Sequence, residues 1–350
     1  MTARPTRVGA GLVLLISLAL AACSAQKGPY KAQLYVFGTL VEITLRDVTA
    51  AKGREAIARI REEFQRMHRE WHAWEPGPLV DLNRAIAEGR DAEVPASIIP
   101  LIARSKTLYE RSDGLFNPAI GGLLDLWGFQ ANEPPDGPLP PREEIEAWVA
   151  KDPGMDDLTL RDGVLHSDNP AVQLDFGAFA KGYAVDIAIE HLREMGVENA
   201  IVNAGGDLRA IGSKGGEPWR IGVRHPQGDG VLAAIEVSGD EAVFTSGNYE
   251  RFREHEGVHY MHILDPRTGM PVKDVTSVTV IHDNGAEADA AATALVVAGE
   301  KDWNRIARKM GIRLVMLVVD DGTVYMNPAM RERVEFSGEA PPVEFGEPLR

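Results

Sequence analysis

The stretch Leu174–Asp186, LDFGAFAKGYAVD, decides the predicted fold. A short apolar strand, Val172–Leu174, leads into a tight turn at Gly177, and a helix begins at Ala180. Because the first N–H groups of a helix have no partner within it, a glycine turn that enters a helix is a favourable place for an anion. Lys181 lies in the first helical turn, where the helix dipole disfavours a cation unless a negative group lies nearby. The pattern fits a bound phosphate, and it fits a lysine that extends into solvent equally well.

The composition is that of a soluble globular protein, with 44% apolar and 25% charged residues in a chain of 350. This length is sufficient for one large domain or two ordinary ones. The formal net charge is −15, and no run of basic residues interrupts the acidic balance. Nucleic acid is therefore not expected as a partner, because its binding requires a positively charged surface.

The first residues have the pattern of a bacterial lipoprotein signal peptide. Two arginines precede an uncharged run, Val8–Ala22, whose length suits the apolar part of a signal peptide better than a membrane span. The run ends in Leu20–Cys23, LAAC, which resembles a lipobox, and Cys23 is the only cysteine in the chain. We predict that residues 1–22 are removed, that Cys23 is lipidated, and that residues 23–31 form the lipidated N-terminus and tether at a membrane surface. Loss of the two arginines changes the formal charge from −15 to −17.

Predicted strands occur in runs with the helices grouped between them, and this order favours an α+β fold over a doubly wound sheet. One domain is predicted over residues 32–335, followed by a loose Pro/Glu-rich tail over residues 336–350. Asn132–Pro141, with five prolines and a glycine, is predicted to be a surface linker. The main predicted helices are Ala50–Trp71, Leu79–Ala87, Pro95–Ser112, Glu143–Ala150, Glu287–Ala298 and Lys301–Met310. The predicted strands include a single strand over Ala32–Arg46 with a bulge or a close backbone approach at Gly38, and a hairpin of Tyr249–Arg253 with Val258–Leu264.

One segment matches a zinc-binding pattern but lacks the helix that the pattern requires. His255–His259, HEGVH, fits the H-E-x-x-H pattern of zinc proteases, which binds zinc only when both histidines share one helix face. Gly257 interrupts this run, and residues 258–263 alternate as in a strand. We therefore dismiss a zinc site here. The serine-hydrolase nucleophile motif, the P-loop and the dinucleotide-binding glycine motif do not occur in the sequence.

Asp289 and Thr293 are stronger candidates for a metal site. They lie four residues apart on a predicted helix that is otherwise small and apolar, so they share one face. A buried carboxylate requires a partner. A carboxylate and a hydroxyl, completed by water and phosphate oxygens, are ligands that suit Mg²⁺. The alternative is that the helix dipole stabilises Asp289 and that Thr293 bonds back to a main-chain carbonyl.

A further group of polar residues occurs in His262–Gly269, HILDPRTG, where a strand runs into a turn. Asp265 with the following proline and Gly269 is ordinary turn chemistry. Arg267 could pair with Asp265, or it could bind a phosphate through two of its nitrogens. The aromatic residues of Leu126–Phe129 could belong to the core or could cover a planar ring.

Taken in order, these motifs resemble the ApbE family, the FAD:protein FMN transferases. The resemblance extends from roughly Tyr35 to Met326 and rests on eight blocks. They are Phe37–Thr39; His72–Trp74 with Asn83; Gly114–Phe129; Asp175–Asp186; Asn203–Asp207; Thr245–Gly247 with Tyr249; His262–Pro271; and Ala288–Thr293. The resemblance implies an α+β, T-fold-related unit of mixed helix and antiparallel sheet.

The resemblance also implies the roles of individual residues. Asp289 and Thr293, with the backbone carbonyl of Ala180, match magnesium ligands. His262 matches a histidine near the scissile phosphate, so His262 and Asp289 are the catalytic candidates. The candidates for lining the flavin nucleotide are Gly38, Thr39, Trp74, Asn117, Lys181, Gly205, Gly206, Asp207, His262 and Arg267. The sequence departs from the usual family pattern at Phe37, His72-Ala73, Asn117-Pro118-Ala119 and Ala178.

The implied reaction transfers the FMN half of FAD to a threonine hydroxyl of a partner protein and releases AMP, with Mg²⁺ beside the pyrophosphate. His262 is the candidate that accepts the hydroxyl proton, and an acid near the metal could do the same work. The family suggests acceptors among subunits of sodium-pumping NADH:quinone reductase and Rnf-type complexes.

A lipid on Cys23 would hold the protein in the bacterial cell envelope, facing the periplasm, with the inner membrane favoured. Two alternatives to the transferase stay open from the sequence. One is a magnesium-dependent FAD pyrophosphatase, and the other is a non-catalytic, lipid-anchored flavin-binding protein.

Overall fold

A nine-stranded sheet lies at the centre of the fold, and the helices that carry Lys181, Asp289 and Thr293 pack on one of its faces. The computed structural model describes residues 28–131 and 137–349. The predicted signal peptide, Cys23 and most of the predicted tether lie outside the described residues, as do residues 132–136 of the predicted linker.

The helices of the described residues are α1 (Ala50–Trp71), α2 (Pro78–Ala87), α3 (Ile99–Arg111), α4 (Gly121–Leu126), α5 (Arg142–Val149), α6 (Ala180–Glu194), α7 (Gly285–Met310) and α8 (Pro328–Arg331). The strands are β1 (Tyr30–Val36), β2 (Thr39–Arg46), β3 (Ala92–Glu93), β4 (Leu158–Arg161), β5 (Val164–Ser167), β6 (Asn199–Ala204), β7 (Asp207–Gly212), β8 (Trp219–Arg224), β9 (Val231–Val237), β10 (Gly239–Gly247), β11 (Phe252–His255), β12 (Val258–Met261), β13 (Val275–His282), β14 (Leu314–Val319), β15 (Val324–Met326), β16 (Val334–Phe336) and β17 (Val343–Phe345). No helix among these residues combines the length and the apolar character that a bilayer crossing requires.

The central sheet has the order β1-β2-β6-β7-β10-β13-β14-β15-β17. Its neighbouring strands are antiparallel except for the last pair, β15 with β17. Smaller sheets are formed by β16-β9-β8 and β3-β5-β4, and β11 pairs with β12 as the predicted hairpin. The predicted α+β class is confirmed.

Both faces of the central sheet are covered at β14, which explains why this strand is apolar throughout. On β14, Val315 and Leu317 belong to the core shared with α1, α6 and α7. The alternate residues Met316 and Val318 belong to the core shared with β8, β9 and β16. Because successive side chains of a strand point to opposite faces, a continuous apolar run is what a strand between two layers needs.

Helix α7 is interrupted within its length. Asn284 caps its start, since the Asn284 side chain accepts a hydrogen bond of 2.9 Å from the N–H of Glu287. Gly299 has a left-handed, non-helical conformation with φ 70°, and it separates the helix into two halves. The predicted pair of helices, Glu287–Ala298 and Lys301–Met310, therefore corresponds to the two halves of α7.

The predicted single strand over Ala32–Arg46 is wrong, because the segment is a hairpin of β1 and β2. The two residues of its turn, Phe37 and Gly38, both have left-handed conformations, with φ of 56° and 70°. Two such residues form the tight turn whose twist matches that of paired strands. A phenylalanine rarely adopts this conformation, so this turn has no ordinary signal in the sequence.

The predicted strand Val172–Leu174 is also wrong, since only Gln173 forms a bridge, to Ile120. The side chain of Asn83 takes the place of a neighbouring strand at Leu174. Its Nδ2 donates to the Leu174 carbonyl at 2.9 Å, and its Oδ1 accepts from the Leu174 N–H at 2.8 Å. A buried amide can satisfy both backbone groups of one residue in this way.

The prediction of a loose tail from residue 336 is wrong for the described residues 336–349. Strand β17 pairs in parallel with β15 and closes that edge of the central sheet. The Glu347 carbonyl accepts a hydrogen bond from Asn304 at 2.8 Å, and Leu349 is buried. The open edge of β15 offers unpaired backbone groups, and these hold a segment that its composition alone would leave loose.

Candidate functional site

The N-terminal turns of α6 and α7 cross, and this crossing brings Asp289 to the start of α6. The N–H of Gly182 donates a hydrogen bond of 2.9 Å to Oδ2 of Asp289. Asp289 is only 5% exposed, and its charge acts on the nearby Lys181. Thr293 lies one turn further along α7, where its hydroxyl is 3.4 Å from the Ser246 hydroxyl. The carboxylate of Asp289 thus faces the start of α6, and the assignment of Asp289, Thr293 and the Ala180 carbonyl as metal ligands stays a prediction.

Two ion pairs of opposite polarity connect α6 to β7. Lys181 of α6 pairs with Asp207, and Asp186 of α6 pairs with Arg209 at 2.6 Å. The second oxygen of Asp207 accepts a hydrogen bond of 3.0 Å from the N–H of Thr245. The negative group that the position of Lys181 demands is therefore a protein carboxylate in this structure. An anionic ligand that entered here would compete with Asp207 for the ammonium.

The site carries three carboxylates around one ammonium. Burial opposes the charge of Lys181, but Asp207, Asp289 and Glu250 together raise its pKa. Burial raises the pKa of the Asp289 carboxyl well above its ordinary value, and Lys181 only partly opposes that rise. With all four groups ionised the local charge is −2, which a divalent cation would neutralise.

The donor set agrees with a hard divalent cation. Asp289 and Thr293 offer a carboxylate oxygen and a hydroxyl, and among the described residues the second carboxylate oxygen of Asp289 has no hydrogen bond. Mg²⁺ binds such oxygen ligands and retains several waters or phosphate oxygens, so it does not need an all-protein cage. The described residues hold no group of three or more His, Cys, Asp or Glu side chains arranged for a metal. The residues present therefore fit Mg²⁺ shared with a phosphate ligand.

The predicted flavin-lining glycines lie at two adjoining hairpin tips. Gly205 donates its N–H to the Leu40 carbonyl at 3.2 Å, beside the turn that contains Gly38. A Cβ atom on Gly205 would lie 2.3 Å from the hydroxyl oxygen of Thr39, so only glycine permits this approach. Gly206, with φ 112°, also adopts a backbone conformation that favours glycine. The two tips meet next to Asp207, which joins these candidates to the Lys181 cluster.

His262 lies just after β12 and is half-buried. Its Nδ1 is 3.0 Å from the Arg251 carbonyl oxygen. Burial lowers the pKa of His262 to about 4, and the cations Arg251 and Lys181 contribute to this lowering. The ring is therefore neutral at pH 7, and the carbonyl fixes its proton on Nδ1. Nε2 is left as a hydrogen-bond acceptor.

Trp74 and His262 lie on two sides of Arg251. The Arg251 guanidinium is 5.8 Å from the centre of the Trp74 ring, and the backbone carbonyl of the same residue holds His262. Trp74 also packs edge-on against His72, with the ring centres 4.5 Å apart. Arg251 thus connects the predicted ring-covering tryptophan to the predicted catalytic histidine.

The polar groups of two predicted candidates are engaged elsewhere. Asn117 donates to the Pro153 carbonyl at 2.9 Å and accepts from the Ala119 N–H at 3.0 Å, so its amide holds its own loop. Arg267 binds both oxygens of Asp265, at 2.9 and 2.7 Å. Of the two alternatives for Arg267, the structure contains the ion pair rather than a guanidinium that is free to bind phosphate. His255 and His259 lie on the paired strands β11 and β12, as expected for a hairpin and not for a helix.

Glu250 is a site residue that the sequence did not indicate. It follows β10 and retains an exposed surface, but partial desolvation and the nearby Asp207 raise its pKa to about 7 against the opposing effect of Lys181. Its ring-bearing neighbour Tyr249 lies under the Arg224 guanidinium at 4.9 Å. No motif spacing marks Glu250, because its charged neighbours come from α6, β7, β8 and α7.

Comparison with known proteins identifies relatives across most of the chain. A family model described as "ApbE family" matches residues 37–316. A protein named FAD:protein FMN transferase from Rhodobacter capsulatus is 44% identical over 329 residues, which cover 93% of this chain and 63% of that protein. The chain thus spans less than two thirds of that relative's length. A protein of the same name from Treponema pallidum is 31% identical, covering 94% of this chain and 95% of that protein.

A solved structure supports the same relationship. The crystal structure of an ApbE protein from Thermotoga maritima superposes with a TM-score of 0.80 and 34% sequence identity, covering 87% of this chain and 99% of the other. The range matched by the family model includes α6 and the half of α7 that carry Lys181 and Asp289. The chain therefore belongs to the ApbE family.

Proposed function

We propose that this protein transfers the FMN half of FAD to a threonine hydroxyl of a partner protein and releases AMP. The observation that carries the proposal is the hydrogen bond of 2.9 Å between the Gly182 N–H and Asp289. This contact holds a carboxylate at the start of α6, beside Lys181, and the Thr293 hydroxyl follows one helical turn later on the same helix as Asp289. The relatives from Rhodobacter capsulatus and Treponema pallidum, both named FAD:protein FMN transferase, support the same reaction.

In this reaction the acceptor oxygen forms a bond to the phosphorus on the FMN side of the pyrophosphate. The bond from that phosphorus to the bridging oxygen breaks, and AMP leaves. The acceptor proton passes to a base, for which His262 Nε2 is available as a neutral acceptor. Such a transfer requires positioning and charge neutralisation more than a protein nucleophile.

The chain's own residues supply most of that positioning. The ammonium of Lys181 would bind phosphate oxygens once it releases Asp207. Asp289, Thr293 and the Ala180 carbonyl would hold Mg²⁺, which supplies Lewis-acid stabilisation of the charge on the pyrophosphate. Gly38 and Gly206, where a Cβ atom would meet nothing within 4 Å, leave room for the nucleotide next to this charge cluster.

The acceptor and the location are part of the proposal. The flavin-bearing subunits of sodium-pumping NADH:quinone reductase and Rnf-type complexes are the acceptors that the family resemblance suggests. We place the protein at the periplasmic face of the inner membrane, held by a lipid on Cys23. Replacement of Cys23 by alanine should move the protein from the membrane pellet to the soluble fraction, and retention in the pellet would contradict the lipid anchor.

Mass spectrometry of a threonine-bearing acceptor domain tests the activity directly. After incubation with the protein, FAD and MgCl₂, the acceptor should gain one FMN on a threonine, and AMP should accumulate in equal amount. Release of AMP and free FMN without acceptor modification would instead identify a pyrophosphatase. FAD binding without any AMP would identify a non-catalytic flavin-binding protein. Omission of Mg²⁺ should stop the transfer.

A further inference from the structure

The first turn of α7 is held by a side chain of α6. Asp186 accepts a hydrogen bond of 2.8 Å from the Gly285 N–H on Oδ1 and one of 3.0 Å from the Ala286 N–H on Oδ2. The helix already has a cap of its own in Asn284, which serves the N–H of Glu287. Asp186 therefore satisfies two of the remaining free N–H groups at this end, and it does so from a neighbouring helix.

The Asp186 carboxylate is itself fixed by Arg209. Asp186 and Arg209 are each 6% exposed, and Arg209 Nη1 donates to Asp186 Oδ1 at 2.6 Å. The same guanidinium binds both oxygens of Asp240, at 2.8 Å each. A guanidinium held at two carboxylates has little freedom to rotate, so it fixes the carboxylate that caps α7.

The contacts between α6 and α7 are reciprocal. Asp186 of α6 binds the first N–H groups of α7, and Asp289 of α7 accepts the N–H of Gly182 of α6. Asp186 lies one helical turn after Gly182, and Asp289 lies one turn after Gly285. The carboxylate of each helix thus binds the start of the other helix. Only one of the two carboxylates, Asp289, faces the charge cluster around Lys181.

We propose that Asp186 is a positioning residue of the metal site, which holds Asp289 and Thr293 at a fixed distance from the Ala180 carbonyl by clamping the first turn of α7. This inference rests on the proposed function, because it assumes that these three groups bind a divalent cation. Ligands from two different helices form a tight site only if the helices are held within about 0.5 Å of the required geometry. The clamp contributes to this geometry together with the close backbone contact of Gly182 with Gly285, and it acts on the first turn of α7 from outside the charge cluster.

If Asp186 positions the metal ligands, its loss should lower the affinity for the metal and leave the transfer step itself unchanged. Weakening the clamp should raise the metal concentration that gives half-saturation, and excess metal should restore most of the rate. The expected loss of affinity on changing a residue that orients a metal ligand is about 10- to 100-fold. A residue with a purely structural role would lower the melting temperature without such a change in metal affinity.

The test measures binding of Mn²⁺, as a substitute for Mg²⁺, to the purified protein by electron paramagnetic resonance of the free ion. Asp186→Asn keeps the size of the side chain but can no longer accept from both N–H groups and from Arg209. We expect half-saturation to rise at least tenfold relative to the native chain. Transfer activity should then recover as MgCl₂ is raised. Unchanged Mn²⁺ affinity in a folded Asp186→Asn protein would overturn the inference.

A matched control removes a different acid that also binds α7. Asp113 pairs with Arg305 at 2.5 Å and with Lys309, both in the second half of the helix. Asp113→Asn should lower the melting temperature while leaving Mn²⁺ half-saturation within about twofold, because Asp113 does not touch the first turn. If Asp113→Asn weakened Mn²⁺ binding as much as Asp186→Asn, a specific clamp would be excluded.

A second variant keeps the inference testable if Asp186→Asn does not fold. A Cβ atom on Gly285 would lie 2.9 Å from Asp186 Oδ1 and 2.9 Å from the Gly182 carbonyl oxygen, so Gly285→Ala should push the same turn outward by a few tenths of an ångström. Its Mn²⁺ affinity should fall in the same direction, and a folded Gly285→Ala protein with native affinity would count against the clamp. Asp289→Asn distinguishes failure of the proposed metal site from failure of the Asp186 clamp. If it leaves Mn²⁺ binding intact, the proposed metal site itself is wrong; if it abolishes binding while Asp186→Asn does not, only the clamp is wrong.

Discussion

Gly182 and Gly285 touch where α6 crosses α7: a Cβ atom on Gly182 would lie 2.2 Å from the Gly285 carbonyl oxygen. No side chain fits between two backbones at this distance. The crossing therefore depends on glycine at both positions, and it sets how closely the carboxylate of Asp289 approaches the start of α6.

Gly182→Ala should destabilise the protein by about 1–3 kcal/mol, the usual cost of forcing an extra carbon into a packed contact. The measurement is the free energy of unfolding in urea. Gly177→Ala is the matched control in the same segment, because a Cβ there would meet only Asp175 Oδ1, at 3.1 Å. Equal losses for the two variants would show that the crossing is not tight in solution.

Asp289→Asn should reduce FMN transfer about a hundredfold or more, which corresponds to about 3 kcal/mol of lost transition-state stabilisation. The amide has the same shape and still accepts the Gly182 N–H, so the fold should persist, but it carries no charge for a divalent cation. In-gel fluorescence of the denatured acceptor reports the covalent flavin. A native rate at low Mg²⁺ would exclude Asp289 as a ligand.

His262→Asn should lower the transfer rate about 10²- to 10⁴-fold if Nε2 accepts the acceptor's proton. The native rate should decrease as the pH falls through about 4, because protonation of His262 removes the lone pair that the reaction uses. The measurement is the pH dependence of the initial rate between pH 3.5 and 8. An acidic limb that persists in His262→Asn would assign the base to another residue.

Glu250→Gln should change how stability depends on pH. The pKa of Glu250 is raised from 4.5 to about 7, so between these values the folded state binds a proton that the unfolded state does not. Stability from this group is therefore present below about pH 4.5 and is lost as the pH rises through 7. The melting temperature of Glu250→Gln relative to the native chain should increase over this window.

If the melting temperature of Glu250→Gln follows that of the native chain at every pH between 4.5 and 7, Glu250 does not bind a proton in the folded state over this window.

The sequence indicated those parts of the site that a single element determines. Asp289 and Thr293 could be paired because helical spacing places them on one face, and the glycine turn before Lys181 indicated a helix start that faces a charge. What it missed depends on contacts between distant segments. Glu250 acquires its environment from four other elements, and Asn83 replaces a strand partner across 91 residues of chain.

Another error has a local cause. Phe37 adopts a left-handed conformation that aromatic residues rarely take, so the β1–β2 turn carried no turn signal. For Arg267 the sequence left two partners open, and the structure contains the pair with Asp265, two residues away. The tail was misjudged because its order comes from the free edge of β15, and an edge cannot be recognised before the whole sheet is assembled.

The break at Gly299 divides α7 into two helical halves that are held by different contacts. The first half carries Asp289 and Thr293, whereas the second is tied to Asp113 and, through Arg308 and Asn304, to Glu347. Fraying of the C-terminal segment would therefore loosen the second half of α7 and leave the first half in place. In hydrogen–deuterium exchange the amides on the two sides of Gly299 should open as independent units. Opening of the C-terminal segment should therefore leave Asp289 and Thr293 in position.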